Sequence, residues 1–168
     1  MSFIWNPPAN PIKSPGLLAK IRFPDCDPYG HLNNSRYLDY FLNAREDHLL
    51  QAYHFPLCQY SKVTKRGWVV VMNQIAYLKP VYVMDEVFIT SSLLACTDKT
   101  VDVEMIMWDA KKEKVKSILW LKSVHIDLTT QSAASHTEDV QKFFSELVIP
   151  IKEQSWDERV MSMRMQNK

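Results

Sequence analysis

The sequence predicts a single α+β domain, and three observations carry that prediction. The chain has 168 residues, a one-domain length that can bury a real core without disulfide or metal staples. One alternating strand is followed by one long segment of helical period. Four further strands then follow in succession, a meander and not the strand–helix alternation of a parallel fold.

Taken in order, the first sixteen residues hold Pro7, Pro8, Pro11 and Pro15. That density excludes helix and sheet interiors and predicts an extended arm over residues 1–16. In Leu17–Phe23, Leu17, Ala19, Ile21 and Phe23 face one way while Lys20 and Arg22 face the other, as in a half-buried strand. Pro24 to Asn33 is turn-rich. From Ser35 to Tyr53, Tyr37, Leu38, Phe41, Leu42, Leu49 and Ala52 recur at steps of three and four, the mark of one buried helix face. Asn33 or Asn34 is placed to cap that helix, and Phe55-Pro56 ends it. Ser61 to Gly67, with Lys62, Lys65 and Arg66, reads as a basic loop. Trp68–Leu78, Val87–Cys96, Val101–Trp108 and Val115–Leu128 read as strands, rich in Val, Ile and Thr. Ser135-x-x-Glu138 reads as a capping box before a helix through Phe143, Phe144 and Leu147, stopped at Pro150. The domain so bounded is 17–150. In the tail, 151–168, Trp156, Val160 and Met163 sit at helical spacing and leave two readings, a docked amphipathic helix or a loose end.

Composition narrows the function. Lys plus Arg number 20 against 19 Asp plus Glu, so no charge excess argues for nucleic acid or a membrane surface. No stretch of about 18 apolar residues exists, and none is expected to span a membrane. Only 3 glycines are present, with no Gly-rich phosphate loop, so no nucleotide cofactor is read. Cys26, Cys58 and Cys96 are far apart and odd in number, which disfavours a disulfide framework and points to the cytoplasm.

The informative stretch is FPDCDPYGHLNNSRYLDYF, Phe23 to Phe41. It leaves a strand, passes two carboxylates, a histidine and two asparagines, and enters a helix. A helix N-terminus offers unpaired N–H groups and the positive end of the dipole. A carbonyl placed there has its developing oxyanion stabilised. A nearby carboxylate can attack the carbonyl carbon or deprotonate a water. The local parts suit acyl transfer to water. Other readings stand beside it: Asp25 and Asp27 as turn formers with Asn34 as a cap, a metal set of Asp25, Cys26, Asp27 and His31, or His31 as a structural histidine.

The string DCDPYGHLNN, followed by Tyr37 and a helix, resembles the signature of the hotdog-fold acyl-CoA thioesterases, the 4-hydroxybenzoyl-CoA thioesterase-like group. Its D-x-D-x-x-G-H-x-N-N pattern also resembles that of plant acyl-carrier-protein thioesterases. The likeness runs from Leu17 to Leu128, because the strand–helix–four-strand order agrees too.

That resemblance implies an antiparallel sheet wrapped around the 35–53 helix. It implies dimers with a continuous sheet, or dimers of dimers, with the active site at the dimer interface. The substrate would be an acyl-CoA or an acyl carrier protein thioester, and neither a cofactor nor a metal would be needed. The family's catalytic carboxylate falls on Asp27, as nucleophile or general base. Asp25 would hold the turn, and His31, Asn33 and Asn34 would orient the loop, the water or the thioester carbonyl. Tyr29 stands where plant relatives carry the Asn of their triad, so Asn33 or Asn34 would supply the amide. Tyr37 and Trp68, with Val70, Met72 and Gln74, would line the acyl pocket. Lys99, with Lys62, Lys65 and Arg66, would meet the CoA phosphates. Two other activities remain open beside hydrolysis. Hydration of an enoyl thioester is disfavoured, because related hydratases space Asp and His five apart and Asp27 and His31 are four apart. A non-catalytic acyl-thioester binder is the other.

Overall fold

The computed structural model describes residues 3–167, so the first two residues of the arm and the last of the tail lie outside the described residues. The elements are β1 (Gly16–Lys20), α1 (Tyr37–Tyr53), α2 (Leu57–Thr64), β2 (Arg66–Tyr77), β3 (Glu86–Cys96), β4 (Thr100–Asp109), β5 (Val115–Asp127), β6 (Ser132–Ala133), α3 (Glu138–Leu147) and α4 (Trp156–Gln166). One sheet runs in the order β1-β3-β4-β5-β2, antiparallel throughout, with β6 added to β5. This is the α+β arrangement the sequence predicts.

The period-2 strands sort their side chains by face. Val87, Ile89 and Leu93 of β3, Val103, Met105 and Met107 of β4, and Leu119 and Leu121 of β5 are buried on one face. They join Tyr37, Phe41, Ala44 and Leu49 of α1 in a single core, so the sheet curls around this helix. Each such apolar side chain removed from water contributes about 1.5–3 kcal/mol.

The opposite face carries Ile106, Val115 and Ile118, covered by Val160 and Met163 of α4. Of the two readings of the tail, docking is the one observed. Ser155 caps α4 by accepting from the Glu158 N–H, while the Glu158 carboxylate reaches back to the Gln154 N–H. The arm also packs: Trp5 Nε1 donates to the Tyr53 carbonyl at 3.0 Å, and Phe3 and Trp5 meet Phe55 edge-on.

Several expectations are corrected here. Ser61–Gly67 is not simply a basic loop, because Leu57–Thr64 forms α2, held by buried Tyr60 and closed by Lys65 in the left-handed region at φ 56°. Neither Asn33 nor Asn34 caps α1. Asn33 Oδ1 instead accepts from the Ser35 N–H and hydroxyl, which adds a turn before the helix begins at Tyr37. The capping box at Ser135 does not close either. Thr137 holds the cap position of α3, and the Ser135 hydroxyl turns to Asp98.

One buried group gives a pH prediction. His48 of α1 pairs through Nδ1 with Ser91 Oγ at 2.8 Å and is only 2% exposed. Burial, then the Arg45 cation, pushes its pKa down to about 4. The unfolded chain therefore binds the proton first, and stability is lost as pH falls from about 6.5 toward about 4. The loss amounts to about 3 kcal/mol. Urea unfolding at about pH 7 and about pH 4.5 checks this, with His48→Gln expected to flatten the slope. An unchanged slope in the variant contradicts it.

Candidate active site

The loop after β1 is closed by its own backbone. The Asp27 N–H donates to the His31 carbonyl at 2.7 Å, and the Gly30 N–H donates to the Asp27 carbonyl at 3.0 Å. Gly30 sits at φ 79°, a conformation that costs a side-chain-bearing residue energy. Asp27 Oδ1 accepts from the Tyr29 N–H at 2.9 Å and the His31 N–H at 3.0 Å. Its Oδ2 lies 3.9 Å from His31 Nδ1. One carboxylate oxygen is thus fixed by the turn, and the other lies toward the His31 ring. His31 stands edge-on to Tyr82, ring centres 5.0 Å apart.

Asp25 faces elsewhere. Its Oδ2 accepts from the Tyr40 hydroxyl at 2.8 Å, and its carbonyl accepts from the Asn33 N–H at 2.9 Å. It ties the loop to the first turns of α1. Burial, then Asp25 and Asp27, push the Cys26 thiol pKa up, so Cys26 is a poor nucleophile. Among the described residues no three His, Cys, Asp or Glu side chains converge as a metal set would require.

Asp27, His31, Asn33, Asn34 and Tyr37 border one cavity of about 480 Å³. Tyr37, the first residue of α1, lines it, so the N-terminal end of that helix adjoins the cavity. Asn34 is exposed on the border of this cavity.

The sequence missed the facing wall, Tyr77 to Pro80. The Tyr77 hydroxyl donates to the Asn34 carbonyl at 3.0 Å, and its ring meets Tyr37 edge-on at 4.9 Å. Burial and Tyr77 push the Tyr37 pKa up to about 12, which keeps that phenol neutral. No local motif signals these residues, because only the return of β2 beside the loop brings them here.

Two expected substrate contacts lie apart from this cavity. Trp68 lines a second cavity beneath α1 and donates through Nε1 to His136 Nε2 at 3.0 Å. Lys99 sits in the β3–β4 hairpin beside Asp98, beyond the far end of β3, roughly 35 Å of strand from the loop.

The sequence model of the thioesterase-like superfamily matches residues 21–144. The chain belongs to this superfamily. It is 29% identical over 129 residues to the long-chain acyl-CoA thioesterase FadM of Escherichia coli, covering 77% of this chain and 96% of that one. The crystal structure of YbaW, a probable thioesterase from Escherichia coli, superposes with TM-score 0.68 at 28% identity, over 80% of this chain and 98% of that one. A 1,4-dihydroxy-2-naphthoyl-CoA thioesterase from Synechocystis superposes with TM-score 0.72 at 16% identity, over 82% and 99% of the two chains. The fold is the hotdog fold of these thioesterases.

Proposed function

We propose that this chain hydrolyses acyl-CoA thioesters to the free acid and CoA, with Asp27 as the reacting carboxylate. The observation that carries the reading is the division of labour at Asp27. Two backbone N–H groups hold Oδ1, while Oδ2 is left beside His31 in a cavity that the N-terminus of α1 adjoins. A thioester carbonyl seated there has its oxygen at the helix N–H groups. Two routes satisfy this arrangement. As general base, Asp27 takes a proton from water, the hydroxide oxygen bonds to the carbonyl carbon, and the C–S bond breaks to release CoA thiolate. As nucleophile, Oδ2 forms an acyl anhydride with loss of the thiolate, and water then cleaves the anhydride. In both, His31 and the Asn33 and Asn34 amides orient the water or the carbonyl. FadM, named for long-chain acyl-CoA, supports acyl-CoA as the substrate class.

The reading includes a homodimer. β2 is an edge strand whose Val69, Val70, Val71 and Met72 are exposed, an apolar run that a second copy would cover. A Val71→Lys substitution places two like charges across the two-fold axis. Dimer affinity is then expected to fall at least about tenfold by sedimentation equilibrium; an unchanged association would remove β2 as the interface. The free cysteines Cys26, Cys58 and Cys96 fit a reducing compartment, the cytoplasm.

Thiol release from a straight-chain acyl-CoA series tests the activity. Turnover with free acid and CoA in equal amounts is expected. Tight CoA binding with no release of any thiol would make the protein a binder.

A further inference from the structure

The Asp27 loop is anchored in two halves, to two different parts of the fold. Its second half pairs with the connection between β2 and β3. There the Leu32 N–H donates to the Val81 carbonyl at 2.8 Å, and the Val83 N–H donates to the Gly30 carbonyl at 2.9 Å. Its first half, Arg22 to Asp25, meets α1 through the side chain of Tyr40. The Tyr40 hydroxyl donates to Asp25 Oδ2 at 2.8 Å and accepts from the Arg22 N–H at 3.0 Å. A phenol carries one hydrogen and free lone pairs, so both bonds form at once. Burial above all raises the Tyr40 pKa, so that hydrogen stays in place. The neighbouring contact to Asp25, from Arg36 Nε to Oδ1, is longer at 3.8 Å and comes from a half-exposed side chain.

Asp25 passes the constraint on. Its carbonyl accepts from the Asn33 N–H at 2.9 Å, which closes the loop across its base. Asp27 sits within the span so closed. Neither Tyr40 nor Asp25 lines the Asp27 cavity; they border a separate hollow with Lys20, Arg22 and Asn43. The phenol is therefore placed to act on the loop and not on a substrate beside Asp27.

We propose that Tyr40 is a positioning residue for the reaction: its hydroxyl ties the Asp25 half of the loop to α1 and so sets where the Asp27 carboxylate stands relative to the N-terminus of that helix. This inference rests on the thioesterase reading and adds to it a residue outside the reacting cavity. Its weight comes from the geometry of catalysis, in which a reacting group displaced by about 1 Å loses on the order of 10²-fold in rate.

Tyr40→Phe removes one oxygen and keeps the ring. Its kcat is expected to fall about tenfold on the acyl-CoA that wild type hydrolyses fastest, with KM held within about twofold. In an Asp27→Asn background the same change is expected to cost less than about twofold of the residual rate, because the group it positions is gone. Losses that multiply in the double variant, or a wild-type kcat in the single one, overturn the proposal. Amide hydrogen exchange gives a readout that needs no substrate. The Asp27 and His31 N–H groups, both bonded within the loop, are expected to exchange at least about tenfold faster in Tyr40→Phe, with Leu49 in α1 unchanged. Unchanged exchange at Asp27 overturns the proposal, and so does equal acceleration at Leu49, which would make Tyr40 a residue of general stability. Should wild type hydrolyse no thioester, the thioesterase reading fails, and exchange alone decides whether Tyr40 holds the loop.

Discussion

Replacing Arg159 by Met is expected to lower stability by about 3–5 kcal/mol, the largest loss from any one change on the outer face of the sheet. Arg159 of α4 grips Glu104 of β4 through two hydrogen bonds, Nε to Oε1 at 2.8 Å and Nη2 to Oε2 at 2.7 Å. Glu104 is only 4% exposed and also accepts from Trp120 Nε1 at 2.8 Å. Removing the guanidinium leaves a carboxylate in a dry site with a single neutral donor. The loss is therefore the cost of an uncompensated buried charge, not of a surface ion pair. Urea unfolding at fixed protein concentration measures it. The double variant Glu104→Gln/Arg159→Met is expected to recover part of the loss, because the buried Glu104 charge is then gone while the half-buried Glu153 carboxylate still loses its Arg159 partner. A loss under about 1 kcal/mol in the single variant would mean that α4 contributes little to the fold.

The elements that repeat a period were legible from sequence. The α1 face of Tyr37, Phe41 and Leu49 and the alternating strands each bury one side, and burial imposes the period. Where the signal was a side-chain hydrogen bond, the sequence offered competing partners. Asn33 had Ser35 within reach and closed a turn instead of capping α1, and Ser135 turned to Asp98. The short helix α2 buries Tyr60 as its main anchor, which is too little pattern to detect over eight residues.

The candidate site divides in the same way. Asp27, His31, Asn33, Asn34 and Tyr37 are contiguous, so one loop and one helix start bring them to the cavity. Tyr77 and Lys79 arrive from a strand forty residues further on, and only sheet topology reveals them. Lys99 was chosen by charge alone, and charge does not fix which end of a strand a hairpin occupies.

Asp27→Asn carries the largest expected effect on activity. Asn keeps an oxygen at the Oδ1 position, so the Tyr29 and His31 N–H groups retain their acceptor and the turn is preserved. What is lost is a carboxylate that can take a proton or attack a carbonyl carbon. A positioned acid–base group contributes roughly 10²-fold or more in rate. The thermal midpoint is expected to stay close to that of wild type, which separates lost chemistry from lost fold. Asp25→Asn is the contrasting case. Its acceptor oxygen for Tyr40 can be kept, and hydrolysis is expected to fall far less.

The most direct measurement is the single-turnover rate of thioester cleavage by wild type and Asp27→Asn, on whichever acyl-CoA wild type hydrolyses fastest. Wild type cleaving at least about 10²-fold faster, with thermal midpoints alike, is the result expected of a reacting carboxylate at Asp27. Equal single-turnover rates would make Asp27 a turn residue only and would contradict the mechanism.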